Sequence, residues 1–405
     1  MKARWLALLA VVGPGMLAGL SDDDPAGITT YSILGTDYGY RLLWVLLVST
    51  LALIVFHELG ARLGVATGQG LIGLVRERYG VRVGIAGLAA LVVANLGTTC
   101  AEFAGVAAAF ELAGVSRYVS VPIAAVAVSV FVLKGSFRRV EHILLALAAV
   151  FAAYILAGIL ARPAWGAAGR GLIVPELPFT RDALLVATAT VGTTLAPWGL
   201  AFIQSYVADK RLSPKDMTYE RIDVVVGAVL TGVIGAMVVV ACAATLHGSG
   251  RSINDARDAA VALEPLAGNL AATLFAVGLV GAALMAASIL PLSTAYSVCE
   301  AVGVEAKLDD RAREAPVFYG TYAVVTIIAV AIVLAPGAAL IPILYLTQVV
   351  NAVLLLPLLV MILGVARDRT LMGTLVIGRT TTVMATSCIV LVAACVAALA
   401  TLSLV

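Results

Sequence analysis

Apolar runs long enough to cross a bilayer follow one another along almost all of the 405 residues. A helical span needs about 20 apolar residues, and because lipid satisfies no backbone group, runs of this kind fold as helices. At 62% hydrophobic and 12% charged, the chain carries about half the charge fraction of a soluble domain. The strands of a membrane barrel would alternate polar with apolar residues, and these runs do not. They predict spans at 7–37, 41–66, 82–113, 119–133, 142–161, 180–207, 222–246, 267–300, 317–335, 339–363 and 380–404. The expected class is an all-α polytopic membrane protein of about eleven transmembrane helices.

Two of these runs are broken. Asp22-Asp23-Asp24-Pro25-Ala26-Gly27 interrupts the first, near 24–27, and Leu195-Ala196-Pro197-Trp198-Gly199 interrupts the sixth, near 196–199. Pro and Gly inside a span free backbone groups that survive only where they line a polar cavity. Acid groups in the first break point to a cation in that cavity. Five runs in each half would leave the second half inverted relative to the first, and matching breaks in inverted halves mark a midplane site in secondary transporters. The expected division is residues 1–161 for the first repeat, 162–363 for the second and 364–405 for a peripheral helix.

Charge distribution orients this layout. With the N-terminus cytoplasmic, 19 of the 26 Lys and Arg residues fall on the inner side and seven on the outer, a positive-inside bias. Lys2 and Arg4 before an apolar run imitate a signal peptide. Gly13-Pro14-Gly15 and the acidic cluster argue instead for a retained, broken first helix. The five cysteines lack C-x-x-C spacing and read as small packing residues. No nucleotide-binding loop is present, so ATP drive within the chain is not expected. His57-Glu58 begins like the zinc-protease His-Glu-x-x-His pattern, but Ala61 stands at the second His position. Glu58 is instead expected to pair with Arg62 one turn on. The sign-alternating loop Lys307–Arg313 reads as a solvated connection.

Around the two breaks the chain resembles the Nramp family of divalent-metal transporters, whose first helix carries Asp-Pro-Gly-Asn and whose sixth carries Met-Pro-His. Gly13-Pro14-Gly15, Asp37-Tyr38-Gly39-Tyr40-Arg41-Leu42-Leu43-Trp44 and Ala61-Arg62-Leu63-Gly64-Val65-Ala66-Thr67-Gly68 are similar to family segments in the same order. So are Ala101-Glu102-Phe103-Ala104-Gly105, Gln348-Val349-Val350 and Arg367-Asp368-Arg369-Thr370-Leu371-Met372-Gly373. The resemblance implies a LeuT-type fold of two inverted five-helix repeats. Its departures bear on the substrate. Asp24 and Pro25 are kept, whereas Gly27 replaces Asn, Ala196 replaces Met and Trp198 replaces His. Loss of a thioether removes a preference for transition metals over magnesium. Gly27 is expected to remove an oxygen ligand and widen the pocket. Magnesium keeps several waters while touching one or two carboxylates, and the pattern resembles the Nramp-related magnesium transporter branch.

Asp24 is the expected charged metal ligand, and the unwound carbonyls of Pro25, Ala26, Gly27, Ala196, Pro197 and Gly199 are expected to help through backbone. The alternative for Ala-Pro-Trp-Gly is a simple kink. Asp22 and Asp23 are read either as contacts to the hydration shell or as charges that make a vestibule negative. Thr193 and Thr194 either offer hydroxyls or back-bond within their helix. Gln348 offers an amide oxygen to the metal or its water, or bonds between helices; Asn351 and Asn95 are weaker candidates of the same kind. Glu102 is a residual proton site or an acid paired to a buried partner. Trp198 and Thr99 stand where the family has titratable groups, so weak or absent proton coupling is expected.

The expected function is import of hydrated Mg2+, and also Mn2+, by alternating access. The alternatives are a proton-coupled Mn2+/Fe2+ transporter and, more remotely, an organic-solute symporter on the same fold. No enzymatic constellation is visible. The expected partners are a divalent metal ion as substrate and the lipid bilayer, with no cofactor, nucleic acid or protein partner. The expected location is a prokaryotic inner membrane.

Overall fold

The computed structural model describes residues 13–134, 152–250, 253, 258–259, 268, 271–304 and 312–404. Among them there are helices and connections but no strand. The helices are α1 (Pro14–Ser21), α2 (Pro25–Tyr38), α3 (Leu43–Thr67), α4 (Leu71–Tyr79), α5 (Val81–Leu112), α6 (Arg117–Lys134), α7 (Ala152–Leu160) and α8 (Trp165–Ile173). They continue as α9 (Arg181–Thr194), α10 (Pro197–Asp209), α11 (Met217–Thr245), α12 (Ala271–Val302), α13 (Pro316–Val333), α14 (Leu340–Ala366), α15 (Arg369–Met372) and α16 (Arg379–Leu404). Eight of the described helices, counting α9 with α10 as one, are long and apolar enough to cross a membrane. The expected span 142–161 is represented by α7, its first ten residues lying outside the described set, as do all of 1–12 and residues 307–311 of the Lys307–Arg313 loop.

Three short helices, α4, α8 and α15, lie outside the expected spans. α4 has too little apolar length for a span, and it is closed at both ends by Gly70 and Gly80. Glu300 of α12 accepts from the Ile72 amide at its start, 3.1 Å away, and Arg76 and Arg78 occupy its last turn, where cations complement the helix dipole. α8 packs against α3, and Gly171 there approaches the Tyr40 carbonyl too closely for any side chain. The expected Glu58–Arg62 pair is present at 2.5 Å, and Arg221 joins Glu58 at 2.9 Å. All five cysteines are free.

Burial sorts the helices. α10 is buried from Pro197 to Val207 and α2 from Pro25 to Ser32, so the two broken pairs form the centre of the bundle. α16 packs on α9 and α14 and leaves Val383 and Val390 at least 60% exposed, an outer surface suited to lipid. Between apolar helices in lipid, association rests on close packing through small residues. The α1–α11 seam is built that way. A β-carbon on Gly15 would lie 2.5 Å from the Val224 amide nitrogen, and one on Gly19 would lie 2.7 Å from the Gly227 carbonyl carbon. Asp223 of α11 closes the same seam by accepting from the amides of Gly13 at 3.1 Å, Gly15 at 2.6 Å and Met16 at 3.4 Å. Those donors open α1 and have no partner within the helix.

Candidate metal-ion site at the two helix breaks

The first break is shorter than the sequence implied and sits earlier. α1 ends at Ser21, with the Asp22 amide bonded to the Gly19 and Leu20 carbonyls, and the chain is non-helical only through Asp22–Asp24 before α2 starts. Pro25, Ala26 and Gly27, expected in the break, form the first turn of α2. Pro at a first helical position loses no bond, because its missing N–H would be unpaired there anyway. Asp24 is the N-cap: its backbone is extended and its Oδ1 accepts from the Gly27 amide at 2.6 Å. The bond orients the carboxylate and leaves it further acceptor capacity.

The second break repeats the geometry without the charge. α9 ends at Thr194, the Leu195 amide closing on the Val191 carbonyl. Ala196 is the extended N-cap residue of α10, with Pro197 at the first position. Trp198 and Gly199, expected to be unwound, belong to the first turn of α10. The Ala196 carbonyl accepts from the Gly199 amide at 3.2 Å, and the Trp198 carbonyl from Ser293 Oγ at 3.1 Å. The Ala196 oxygen keeps one lone pair for another partner. Trp198 is buried against Phe202, ring centroids 6.3 Å apart, and its Nε1 has no hydrogen-bond partner.

The breaks converge. A β-carbon on Gly27 would lie 2.6 Å from the Asp22 carbonyl oxygen, 3.2 Å from Thr193 Oγ1 and 3.3 Å from Asp24 Oδ1. Thr193 of α9 therefore stands beside Asp24, and its hydroxyl has no partner. Gly27 does not widen the pocket as expected, because the Asp22 carbonyl fills the space its side chain would take. Thr194 is committed elsewhere, to Tyr31 Oη at 2.9 Å and the Thr190 carbonyl at 2.8 Å. Glu102 of α5 is buried, and neither of its carboxylate oxygens has a hydrogen-bond partner. Thr99 back-bonds to the Asn95 carbonyl at 2.7 Å, and Asn95 Nδ2 donates to Thr294 at 3.0 Å.

Asp22 and Asp23 are fully buried, so neither lines an open vestibule, and none of their four carboxylate oxygens has a partner. Gln348 is turned into a network on α14: its Oε1 accepts from Asn351 Nδ2 at 3.0 Å, and the same nitrogen reaches Thr98 Oγ1 at 2.9 Å. Gly192 lets α9 pack directly on the Gln348 backbone. Two contributors were missed. Gly105 admits the Pro25 ring into contact with α5, so it fixes where α2 restarts; its spacing three residues after Glu102 was the available signal. His57 is buried with both ring nitrogens unpartnered, and only the fold brings it to the breaks. Orphan polar atoms at this density in a closed interior mark a place for water or ions.

Residues 15–402 match the family described as natural resistance-associated macrophage protein-like. The chain belongs to the Nramp family. The divalent metal cation transporter MntH of Burkholderia ambifaria is 33% identical over 67% of this chain and 64% of its own length. The alignment thus spans just under two thirds of that relative. MntH of Yersinia enterocolitica is 30% identical over 68% of this chain and 69% of its own. The manganese transporter of Eremococcus coleocola superposes with a TM-score of 0.81 at 21% identity, over 98% of this chain and 87% of that one. MhsT, solved with L-phenylalanine, superposes at 0.60 and 14% identity, over 95% and 97%. This Nramp chain therefore has the LeuT-type fold that the resemblance implies, and its family places it among membrane transporters, not enzymes.

Proposed function

We propose that the chain imports a divalent metal, hydrated Mg2+ and also Mn2+, by alternating access across a bacterial inner membrane, with its N-terminus in the cytoplasm. The observation that carries this reading is the set of oxygens around Asp24. The carboxylate, the free Thr193 hydroxyl and the carbonyl of Asp22 converge there, and the Ala196 carbonyl stands at the facing break. Hard oxygen donors with few charges suit magnesium, which keeps several of its waters, and Ala196 contributes no thioether to favour softer metals. Gln348 and Asn351 then act from the next layer, on the ion's water. Transport of divalent cations by the named relatives supports the coarser reading. Membrane potential draws a cation inward at about 2.3 kcal/mol per charge per 100 mV, so weak or absent proton coupling suffices.

A second reading, a proton-coupled Mn2+/Fe2+ transporter, is favoured by Glu102, a buried acid whose two carboxylate oxygens have no partner, because such a group readily holds a proton. An organic-solute symporter is disfavoured by Asp22, Asp23 and Asp24, which would repel a substrate carboxylate. Uptake of magnesium, manganese and calcium into proteoliposomes, with internal pH followed in parallel, separates these readings. Magnesium entry without acidification, lost in Asp24→Asn, is the expected result. Manganese entry with acidification and no magnesium entry would move the chain to the proton-coupled reading.

A further inference from the structure

A second pair of donors lies next to the breaks and is not used by Asp24. His57 of α3 is fully buried and neither ring nitrogen is hydrogen-bonded. Asp22, at the end of α1, is equally buried and equally unpartnered. They meet over Gly199, in the first turn of α10. A β-carbon there would lie 3.2 Å from His57 Nε2 and 3.7 Å from Asp22 Oδ1. Both atoms thus lie within 4 Å of one point yet form no hydrogen bond. They border a common gap, the space beside Gly199.

Packing does not account for this arrangement. A structural Asp–His pair would be hydrogen-bonded, because leaving either group bare in an interior is costly. Here each wall of the gap belongs to a different helix, and Gly199 leaves it unfilled. The C-terminal end of α1 turns the negative end of its dipole toward the gap, while the Gly199 amide on the opposite wall is already engaged by Ala196.

We propose that Asp22 and His57 form a second cation station, which receives a partly hydrated divalent metal after it leaves Asp24. This rests on the reading of Asp24 as the ion-binding carboxylate. Asp22 is two residues nearer α1, so the station lies on the α1–α10 side of the breaks, the cytoplasmic side in the proposed orientation. Among the described residues no three His, Cys, Asp or Glu side chains converge as a metal site; two donors suit an ion that keeps much of its water. The station's chemistry also differs from that around Asp24. Imidazole suits first-row transition metals, whereas magnesium favours oxygen. His57 therefore gives transition metals a foothold that the oxygen donors at Asp24 do not.

The test is pulsed electron paramagnetic resonance on the full-length protein in lipid nanodiscs loaded with Mn2+, which detects a directly coordinated imidazole nitrogen. A nitrogen coupling is expected in the unaltered protein and is expected to vanish in His57→Gln. In proteoliposomes, the potency of Co2+ as a competitor of Mg2+ uptake should fall about tenfold in the same variant. Gly199→Ala, which places a methyl group in the gap and keeps His57, should lose the coupling too. Absence of nitrogen coupling in the unaltered protein overturns the station, and that measurement requires no variant to fold. A coupling that persists in His57→Gln belongs to another of the three histidines and overturns it equally. Uptake that survives Asp24→Asn sinks the Asp24 reading, and the station with it. Uptake lost in Asp24→Asn without any nitrogen coupling leaves the first standing and removes the second.

Discussion

The two breaks share a backbone and differ in everything else. In each, a half-helix ends, one N-cap residue is extended, and a proline restarts the helix at its first position. The first break carries three carboxylates, one of which caps its own helix. The second carries no ionisable side chain, and its capping position is an alanine that can offer only a carbonyl. One break therefore provides charge and the other provides shape and neutral oxygen. In the proposed site the same device, with ionisable side chains on one side only, would hold an ion by one strong attraction and several weak ones.

The largest effect expected from this asymmetry is at Asp24. Asn preserves the N-cap acceptor but removes the charge, so Asp24→Asn should cut metal uptake by about 100-fold with little change in thermal unfolding temperature. Comparable losses on unfolding would mean that Asp24 is structural. Next comes Gly27→Asn, which restores the residue of the resembling motif. Its β-carbon collides with the Asp22 carbonyl, so a destabilisation of about 1–3 kcal/mol is expected from overpacking, read by thermal melting in detergent. Unchanged stability would show that the first break can open to admit a side chain.

The second break should respond in selectivity before it responds in strength. Ala196→Met adds a thioether and should shift competition toward Cd2+ over Mg2+ by about tenfold, measured as inhibition of Mg2+ uptake. No shift would mean that position 196 does not face the ion. Pro197→Ala removes a pre-set dihedral from a position where it fits, so the expected cost is about 0.4–1 kcal/mol of stability with the break intact. A larger loss would make the proline the cause of the break. The smallest effect lies in the loop after α10. Ser213 donates to Asp216 from its hydroxyl at 2.7 Å and its amide at 2.9 Å, and these bonds hold the Asp216 carboxyl below its ordinary range. A depressed folded-state value adds stability above the unfolded value of about 3.9, and that contribution is lost as pH falls through the folded value. Asp216→Asn should therefore unfold slightly earlier than the parent at neutral pH, with the difference fading in acid. A difference constant with pH would remove the charge from the account.

Proline and acid identities made the breaks legible in the sequence to within a few residues. In the sequence Pro25 and Pro197 look like interruptions of a helix, whereas each begins one. Glu58–Arg62 was legible because a four-residue spacing fixes proximity on a helix. The widening assigned to Gly27 failed because it considered the missing side chain and not the backbone free to move into its place. Asp223 and His57 were illegible for a common reason. Their partners lie on other helices, and no local spacing encodes which helix will lie against which.

The cap that Asp223 supplies to α1 also has a consequence for how the chain is assembled. α1 has eight residues, fewer than the roughly 12–15 at which an isolated helix becomes marginally stable. The carboxylate that completes it is 208 residues further on from Gly15. During synthesis, N-terminal segments emerge first, so the bonds from Gly13, Gly15 and Met16 to Asp223 cannot form until α11 has been made. The first part of the central bundle to be translated is among the last to be finished.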